Sequence, residues 1–425
     1  MMLPSWVDRL PSGHEQGQFY GIDLGGTNLR VLWIKLGAEK GVVEAQEVAE
    51  WPIPTACYDT DNGMLLRWVA EQTTTVIKKH SGDDVAHIGF CFSFACEQAS
   101  LGEGKLLLWT KSFRGSGLLG QDVVAALIHE FKALDVNVTV PALMNDTVAT
   151  LVSLTYAEPS TKCGIILGTG TNCAYIERIE NIKKLGIKSS YNTPLPGREA
   201  SGRPTTMVIN TEWGDLDQAG TSLPRCEEDV WVDCASANPG HGLFEKLIAG
   251  LYLGEIARRI LHKLAEKTGL LGGVVDHGIG LLLAKEGALA SADVAAIDQD
   301  TSEDLTVTAS VLSSAFGLHQ HKITHRDRII ARRVCQFVAL RSARLCAAAI
   351  SAIIEHSPTV DIDREVFTIA VDGSVFSKYP AYRVKLGAAL EELEGRDRAG
   401  RVEMKLAEGG SVAGAAYLAA AAVYQ

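Results

Sequence analysis

The chain has 425 residues, a length that allows two or three domains, and its 47% hydrophobic content is ample for a buried core. A net charge of -11 argues against nucleic-acid binding and against a role at an anionic membrane surface, so an anionic nucleotide has to be gripped by local donors. Nine cysteines, with no C-x-x-C pair and no secretory leader, point to free thiols in a reducing, cytoplasmic compartment.

Residues 1–18 hold Pro4, Pro11 and several polar groups; this reads as a short surface arm, neither signal peptide nor spanning helix. From 19 to 36, Tyr20, Ile22, Leu29, Val31, Trp33 and Ile34 flank the turn Asp23-Leu24-Gly25-Gly26-Thr27-Asn28 and predict a two-stranded hairpin. Leu65, Trp68, Val69 and Val76 fall at helical spacing over 64–79, a buried strand is expected over 85–94, and a second amphipathic helix over 121–133. The apolar stretch 138–144 ends in Asn145-Asp146-Thr147. After Cys163 the opening theme restarts, with a strand over 164–167, the turn Gly168-Thr169-Gly170-Thr171-Asn172 and a strand over 173–179. An exposed loop follows over 181–206, then long helices over 244–267 and 330–354, and a small-residue terminal helix over 414–423 too short to span a membrane. Alternating strands and helices indicate an α/β fold, and the restart marks a duplication.

Each glycine turn can serve as a tight hairpin turn or as a phosphate clamp, because glycines let backbone N–H groups face an anion while Thr and Asn add donors. Two such turns, each between strand-like segments, suggest a duplicated nucleotide site. Asp146 at the mouth of a buried strand is a candidate general base; a helix N-cap and an N-x-T acceptor are the other readings of the triplet. Ser93, in Phe92-Ser93-Phe94, and Thr110-Lys111, in Trp109-Thr110-Lys111-Ser112-Phe113, emerge from apolar runs as donors in a substrate pocket do. No Walker A or Rossmann glycine motif is present.

The segment 88–113, with Phe-Ser-Phe and the Trp-Thr-Lys-x-Phe ending, resembles the sugar-binding signature of the eukaryotic-type hexokinase family, and the resemblance runs from Tyr20 to Val423. Its two phosphate loops match the two glycine turns, Glu212 lies in Asn210-Thr211-Glu212-Trp213-Gly214, Glu245 in Phe244-Glu245-Lys246, and Asp372-Gly373-Ser374 resembles the adenosine-side motif. The resemblance implies a two-lobed, duplicated actin-like ATPase (ribonuclease H-like) fold. Residues 17–143 with 408–425 would form a small domain, 144–407 a large one, and 1–16 an N-terminal arm. It implies that Ser93, Thr110, Lys111, Asn145, Asp146, Asn172, Glu212 and Glu245 surround a hexose, and that Asp146 accepts the proton of the 6-hydroxyl as it attacks ATP. Asp23, Gly25, Gly26, Thr27, Asn28, Arg30, Gly168, Thr169, Gly170, Asp372, Gly373 and Ser374 would hold ATP, with Asp23 orienting Mg²⁺ through water. Partners are then small molecules, hexose and ATP, with no nucleic acid and no membrane insertion.

Three positions depart from the family pattern. Ala95 replaces a Pro, Gly242 stands in place of a Gln that helps hold the sugar, and Gly409-Gly410-Ser411-Val412 replaces an Asp-Gly-Ser-Gly run, which implies an altered adenosine contact. A sugar sensor that binds without turnover is the alternative; an actin-like or chaperone-type ATPase would share the phosphate loops but not the sugar signature. His319, His321 and His325 read as a polar helix approach, and Cys226 and Cys234 as structural thiols.

Overall fold

The two glycine turns each join the first two strands of a five-strand unit, and the two units repeat one strand order. In the computed structural model the described residues are 2–80, 84–109, 113–186, 204–272, 283–357, 359–407 and 409–424. The strands are β1 (Leu3–Pro4), β2 (Gly17–Leu24), β3 (Asn28–Leu36), β4 (Val43–Pro52), β5 (Ala86–Phe92), β6 (Ala95–Ser100), β7 (Glu103–Leu108), β8 (Val138–Met144), β9 (Thr161–Leu167), β10 (Thr171–Arg178), β11 (Thr206–Asn210), β12 (Phe367–Asp372) and β13 (Val402–Leu406). The first sheet runs β4-β3-β2-β5-β8 and the second β1-β11-β10-β9-β12-β13. Leaving β1 aside, both have the order third, second, first, fourth, fifth, with an antiparallel meander followed by parallel strands. This is the duplicated, two-lobed actin-like ATPase fold.

The helices are α1 (Met64–His80), α2 (Val123–Ala133), α3 (Asp146–Ala157), α4 (Glu227–Ala235), α5 (Leu243–Ile248), α6 (Gly250–Thr268), α7 (Ser291–Asp298), α8 (Thr306–Phe316), α9 (His325–His356), α10 (Ser374–Ser377), α11 (Pro380–Glu394), α12 (Arg396–Ala399) and α13 (Gly410–Val423). Helix α1 forms where the periodicity predicts it and buries Leu65, Val69 and Val76 with Tyr20, Phe90 and Leu127. By length and composition α9 could cross a membrane, but half of its apolar stretch is packed inside the protein. Helix α3 follows the first sheet and packs on the second; α13 follows the second and packs on the first. The two cross closely because both are rich in small residues: a Cβ on Gly414 would lie 1.8 Å from the carbonyl oxygen of Ala149. Val412, Ala415 and Ala416 join Val148, Ala149 and Leu151 in a core shared by both lobes.

Two expectations are corrected here. The first 18 residues are not a surface arm: Leu3 pairs with Asn210 and Pro4 with Ile209, and Ser5 and Val7 are buried. The Ser5 hydroxyl donates to the Val208 carbonyl, and Val7 fills a gap among Phe19, Leu32, Ile34 and Val208. The helix expected over 244–267 is broken, with Ala249 extended between α5 and α6. There the N–H groups of Gly250 and Leu251 donate to the carbonyls of Gly168 and Thr169, so the second glycine turn supplies the partners that a continuous helix would have supplied. Of the expected loop over 181–206, residues 187–203 lie outside the described set; its described start forms two short 3₁₀ turns, Ile179–Asn181 and Lys183–Leu185.

Candidate functional site

Parallel pairing sets Asp23 opposite Cys91 and Leu24 opposite Phe92, and Cys91 in turn opposite Met144. Gly25, Ser93 and the Asn145-Asp146 pair, each just beyond its strand, therefore leave the sheet at one edge, the carboxyl end of the parallel strands where α/β proteins hold ligands. The Ser93 N–H donates to the Leu24 carbonyl at 3.4 Å, tying the sugar signature to the first glycine turn. Behind it Trp109 and Phe113 stack with ring centroids 5.2 Å apart, Phe94 meets them edge to face at 4.9 and 5.1 Å, and the Trp109 indole donates to the Gly117 carbonyl. Thr110 and Lys111, which follow Trp109 in the sequence, lie outside the described residues.

Asn145 is the N-cap of α3: its side-chain oxygen accepts from the Thr147 N–H at 3.1 Å and from the Thr147 hydroxyl at 2.8 Å. The cap is thus Asn145, which leaves Asp146 as the first helical residue, its carboxylate at the positive end of the helix dipole. The Asn172 amide donates to Asn145 Oδ1 at 3.3 Å and to Asn210 Oδ1 at 2.9 Å, and the Asn210 amide donates to Glu212 Oε1 at 2.8 Å. Three of the implied hexose contacts, Asn145, Asn172 and Glu212, are therefore joined through one hydrogen-bonded chain, and Asp146 follows its first member and shares the Thr147 N–H with it. Glu212 has φ 52°, a left-handed backbone that costs a non-glycine residue roughly 1–3 kcal/mol and turns its carboxylate back toward Asn210. Burial holds the Glu212 carboxyl above its ordinary value, the Asn210 amide opposes this, and the negative charge of Asp146 raises it further. Glu245 accepts the Thr171 N–H at 3.0 Å, which ties this carboxylate to the second glycine turn.

A second cluster gathers around Asp23 and Arg30, which flank the first glycine turn. Asp23, 2% exposed, accepts from Arg30 at 2.7 Å and from the Ser411 hydroxyl at 2.7 Å. Asp372 and Arg30 both lie beside Gly410, 3.0 and 3.8 Å from where its Cβ would sit, and the Asp23 and Asp372 charges hold the Arg30 guanidinium above its ordinary value against the effect of burial. Burial, then the charges of Asp23 and Asp146, push the Cys91 thiol well up, which puts that β5 side chain within electrostatic reach of both carboxylates. In the first turn the Gly25 N–H closes onto the Asn28 carbonyl, Gly26 accepts from the Tyr58 hydroxyl and Thr27 from the Ile53 N–H. The Asn28 amide donates to Glu50 at 2.5 Å, so as placed this side chain serves the turn rather than an open anion site. In the second turn the Gly168 N–H donates to the Gly170 carbonyl, and Gly373 packs against it with φ 116°, where a Cβ would sit 2.4 Å from the Leu167 carbonyl.

From Thr169 and Ser374 a cavity of about 730 Å³ opens between α4, α6, α7 and α10, lined also by Trp231, Leu251, Ser291 and Lys378. It is large enough for a nucleoside. None of these four was singled out as a site residue in the sequence, since they share no contiguous motif; Leu251, expected on the buried side of its helix, is exposed. Gly409–Val412 does not line this cavity; Gly410–Val412 open α13 beside Asp23, where Ser411 makes its hydrogen bond. Gly242 is left-handed, at φ 64°, and its N–H donates to Asp215 at 2.7 Å, while Ala95 simply opens β6. His319 and His321 stack on each other ahead of α9, which His325 begins, and among the described residues no cluster of metal-binding side chains forms.

Two family models described as hexokinase match the chain, over residues 1–156 and 162–421. Hexokinase-1 of Spinacia oleracea is 38% identical over 428 residues, covering 99% of this chain and 82% of its own length. Hexokinase-1 of Arabidopsis thaliana is 36% identical with the same coverage. Among solved structures, a hexokinase from Schistosoma mansoni in complex with glucose aligns with a TM-score of 0.83 and 31% identity, covering 99% of this chain and 88% of that one. A further hexokinase crystal structure aligns at 0.79 and 27% with the same coverage. With a family model matching each half and relatives 36–38% identical over 99% of its length, this chain belongs to the hexokinase family and is a kinase of carbohydrate phosphorylation that uses ATP.

Proposed function

We propose that the enzyme transfers the γ-phosphoryl group of ATP to the 6-hydroxyl of glucose and related hexoses, with Asp146 as general base. The observation that carries this is the chain of amides from Asn145 through Asn172 and Asn210 to Glu212, which connects the Asp146 corner, the second glycine turn and a sugar-side carboxylate. A hexose presents vicinal hydroxyls, each both donor and acceptor. Glu212 and Glu245 would accept from them, while Asn145, Asn172, Ser93, Thr110 and Lys111 would donate.

Asp146 accepts the proton of the primary hydroxyl as that oxygen attacks phosphorus. Its place at the start of α3 favours the ionised form that a base needs. The loose transition state of phosphoryl transfer leaves the protein mainly positioning and charge stabilisation to supply. Gly168, Thr169 and Gly170 would grip the transferring end, with Gly25, Gly26, Thr27, Asn28 and Arg30 facing them, and the cavity beyond Thr169 and Ser374 would take the adenosine. The residues present suit Mg²⁺: Asp23 Oδ1 is buried without a hydrogen bond of ordinary geometry, beside the Cys91 thiol, and the Asp372 carboxylate lies beside Gly410 and Arg30. When bound, Mg²⁺ would neutralise triphosphate charge, with Asp23 holding it through water and Asp372 nearby.

Closure of a small domain, 17–143 with 408–425, over a large one, 144–407, would complete the site only when sugar is bound and so protect ATP from water. The crossing of α3 and α13 supports it as the hinge. A cytoplasmic location is supported by the nine free cysteines. A coupled assay with ATP, Mg²⁺ and a panel of hexoses tests the reading: turnover on glucose is expected, and tight glucose binding without turnover would instead favour a sugar sensor.

A further inference from the structure

Asn210 is not among the side chains expected to touch the sugar, yet two that are hang from it. It ends β11 and is 6% exposed. Its oxygen accepts from the Asn172 amide at 2.9 Å and from the Glu212 N–H at 3.4 Å, and its amide donates to Glu212 Oε1 at 2.8 Å. These partners leave one workable orientation. Flipping the amide would set hydrogens against the Asn172 hydrogens and an oxygen against the Glu212 carboxylate. Asn172 is equally constrained, since its own oxygen accepts from the Cys173 N–H at 2.7 Å.

The backbone of Asn210 is held from outside the lobe. It pairs with Ala174 on one side and with Leu3 of β1 on the other, and the Met2 N–H donates to the Thr211 carbonyl at 2.8 Å. Two residues past β1, the Trp6 indole donates to the Gln98 carbonyl of β6 at 2.8 Å, and the Gln98 amide donates to the Leu143 carbonyl at 2.9 Å. Leu3 and Pro4 thus face Phe94, Asn145 and Asn210 across a small void behind the sugar residues.

We infer that Asn210 is a positioning residue that sets the spacing and orientation of Asn172 and Glu212 for the hexose, with the N-terminal strand as its brace. This rests on the reading of Asn172 and Glu212 as hexose contacts. The strand end would drift without the amide, and Glu212, in its strained backbone, would lose the donor that keeps its charge aimed at the site.

The test is glucose binding by calorimetry, with steady-state kinetics, on the full chain and on Asn210→Ala, Asn210→Asp and Glu212→Ala. Loss of binding in Glu212→Ala tests the underlying reading by itself, and an unchanged affinity there would defeat that reading whatever Asn210 does. For Asn210→Ala we expect glucose Kd to rise at least about tenfold, the range for removing a hydrogen bond to a charged group, with most of the loss in kcat/KM falling on KM. Asn210→Asp is nearly isosteric and keeps the test alive if the Ala variant does not fold. At about pH 8 its carboxylate would repel Glu212 and binding should be as poor as in Asn210→Ala. Near pH 5.5 the pair should share a proton that restores the donor, so affinity recovers relative to Asn210→Ala at the same pH. Unchanged glucose Kd in Asn210→Ala, or an Asn210→Asp deficit that ignores pH, would overturn the inference.

Discussion

Asp146→Asn separates chemistry from structure at the proposed base. The fold should barely notice the change, because Asn145 stays as the α3 cap, the Thr150 hydroxyl still donates to the residue 146 carbonyl, and an Asn oxygen can still accept the Thr147 N–H that Asp146 now accepts at 2.9 Å. What is lost structurally is one negative charge at a helix N-terminus, about 0.3–1 kcal/mol, partly offset by relief of the repulsion from Glu212. What is lost chemically is a general base, worth about 10²–10⁴ in rate, or roughly 3–5 kcal/mol of barrier. The expected result is a kcat lower by two to four decades, with melting temperature and glucose affinity close to those of the unmodified enzyme. A coupled assay for turnover, calorimetry for glucose and a thermal melt read the three quantities. A kcat within about threefold of the parent would refute the base assignment; glucose affinity lost in step with kcat would instead make Asp146 a binding group only.

Glu212 is held above its ordinary value by burial, so between the unfolded and folded values the folded chain binds the proton more tightly and stability falls as pH rises. Above that window the charged carboxylate is a net cost, and Glu212→Gln should melt no lower than the parent near neutral pH while binding glucose far more weakly; a clear drop in melting temperature counts against this. Gly242→Gln restores an amide beside Glu245, with no neighbour closer than 3.9 Å to the new Cβ, but at φ 64°. A lower KM for glucose is expected, with a stability loss of about 1–2 kcal/mol, and an unchanged or higher KM argues against a sugar role for that position. Gly373→Ala meets the Leu167 carbonyl at 2.4 Å in a backbone that disfavours a side chain, so the second turn should be displaced. Its KM for ATP should rise far more than its KM for glucose, and equal changes in both would speak against a nucleotide-side role.

Much of this architecture was readable because its causes are local. Alternating bulky residues on both sides of Gly25-Gly26 and of Gly168–Gly170 specify strand, tight turn and strand whatever surrounds them, and both hairpins form where that pattern stands. The stripe of Leu65, Val69 and Val76 needs only a period of 3.6 to declare α1. The triplet at Asn145 was ambiguous between cap and base, and the fold gives the cap to Asn145 and leaves Asp146 as the first helical residue.

The composition and order of residues thus determined two α/β units, each built around a glycine turn, and the family to which they belong. Tertiary structure decided what lies between them. Nothing in the run 244–267 forbids a continuous helix; the break at Ala249 exists because carbonyls of Gly168 and Thr169, some eighty residues away, claim the next two N–H groups. Leu3 and Pro4 look like a loose arm until β11 offers them a partner. Asn210 looks like one more polar residue until Asn172 and Glu212 converge on its amide, and the partner of the Ser411 hydroxyl is unspecified until Asp23 accepts its hydrogen bond. In each case a hydrogen-bonding group must find a partner once it is buried, and only the folded chain determines which distant group that partner is.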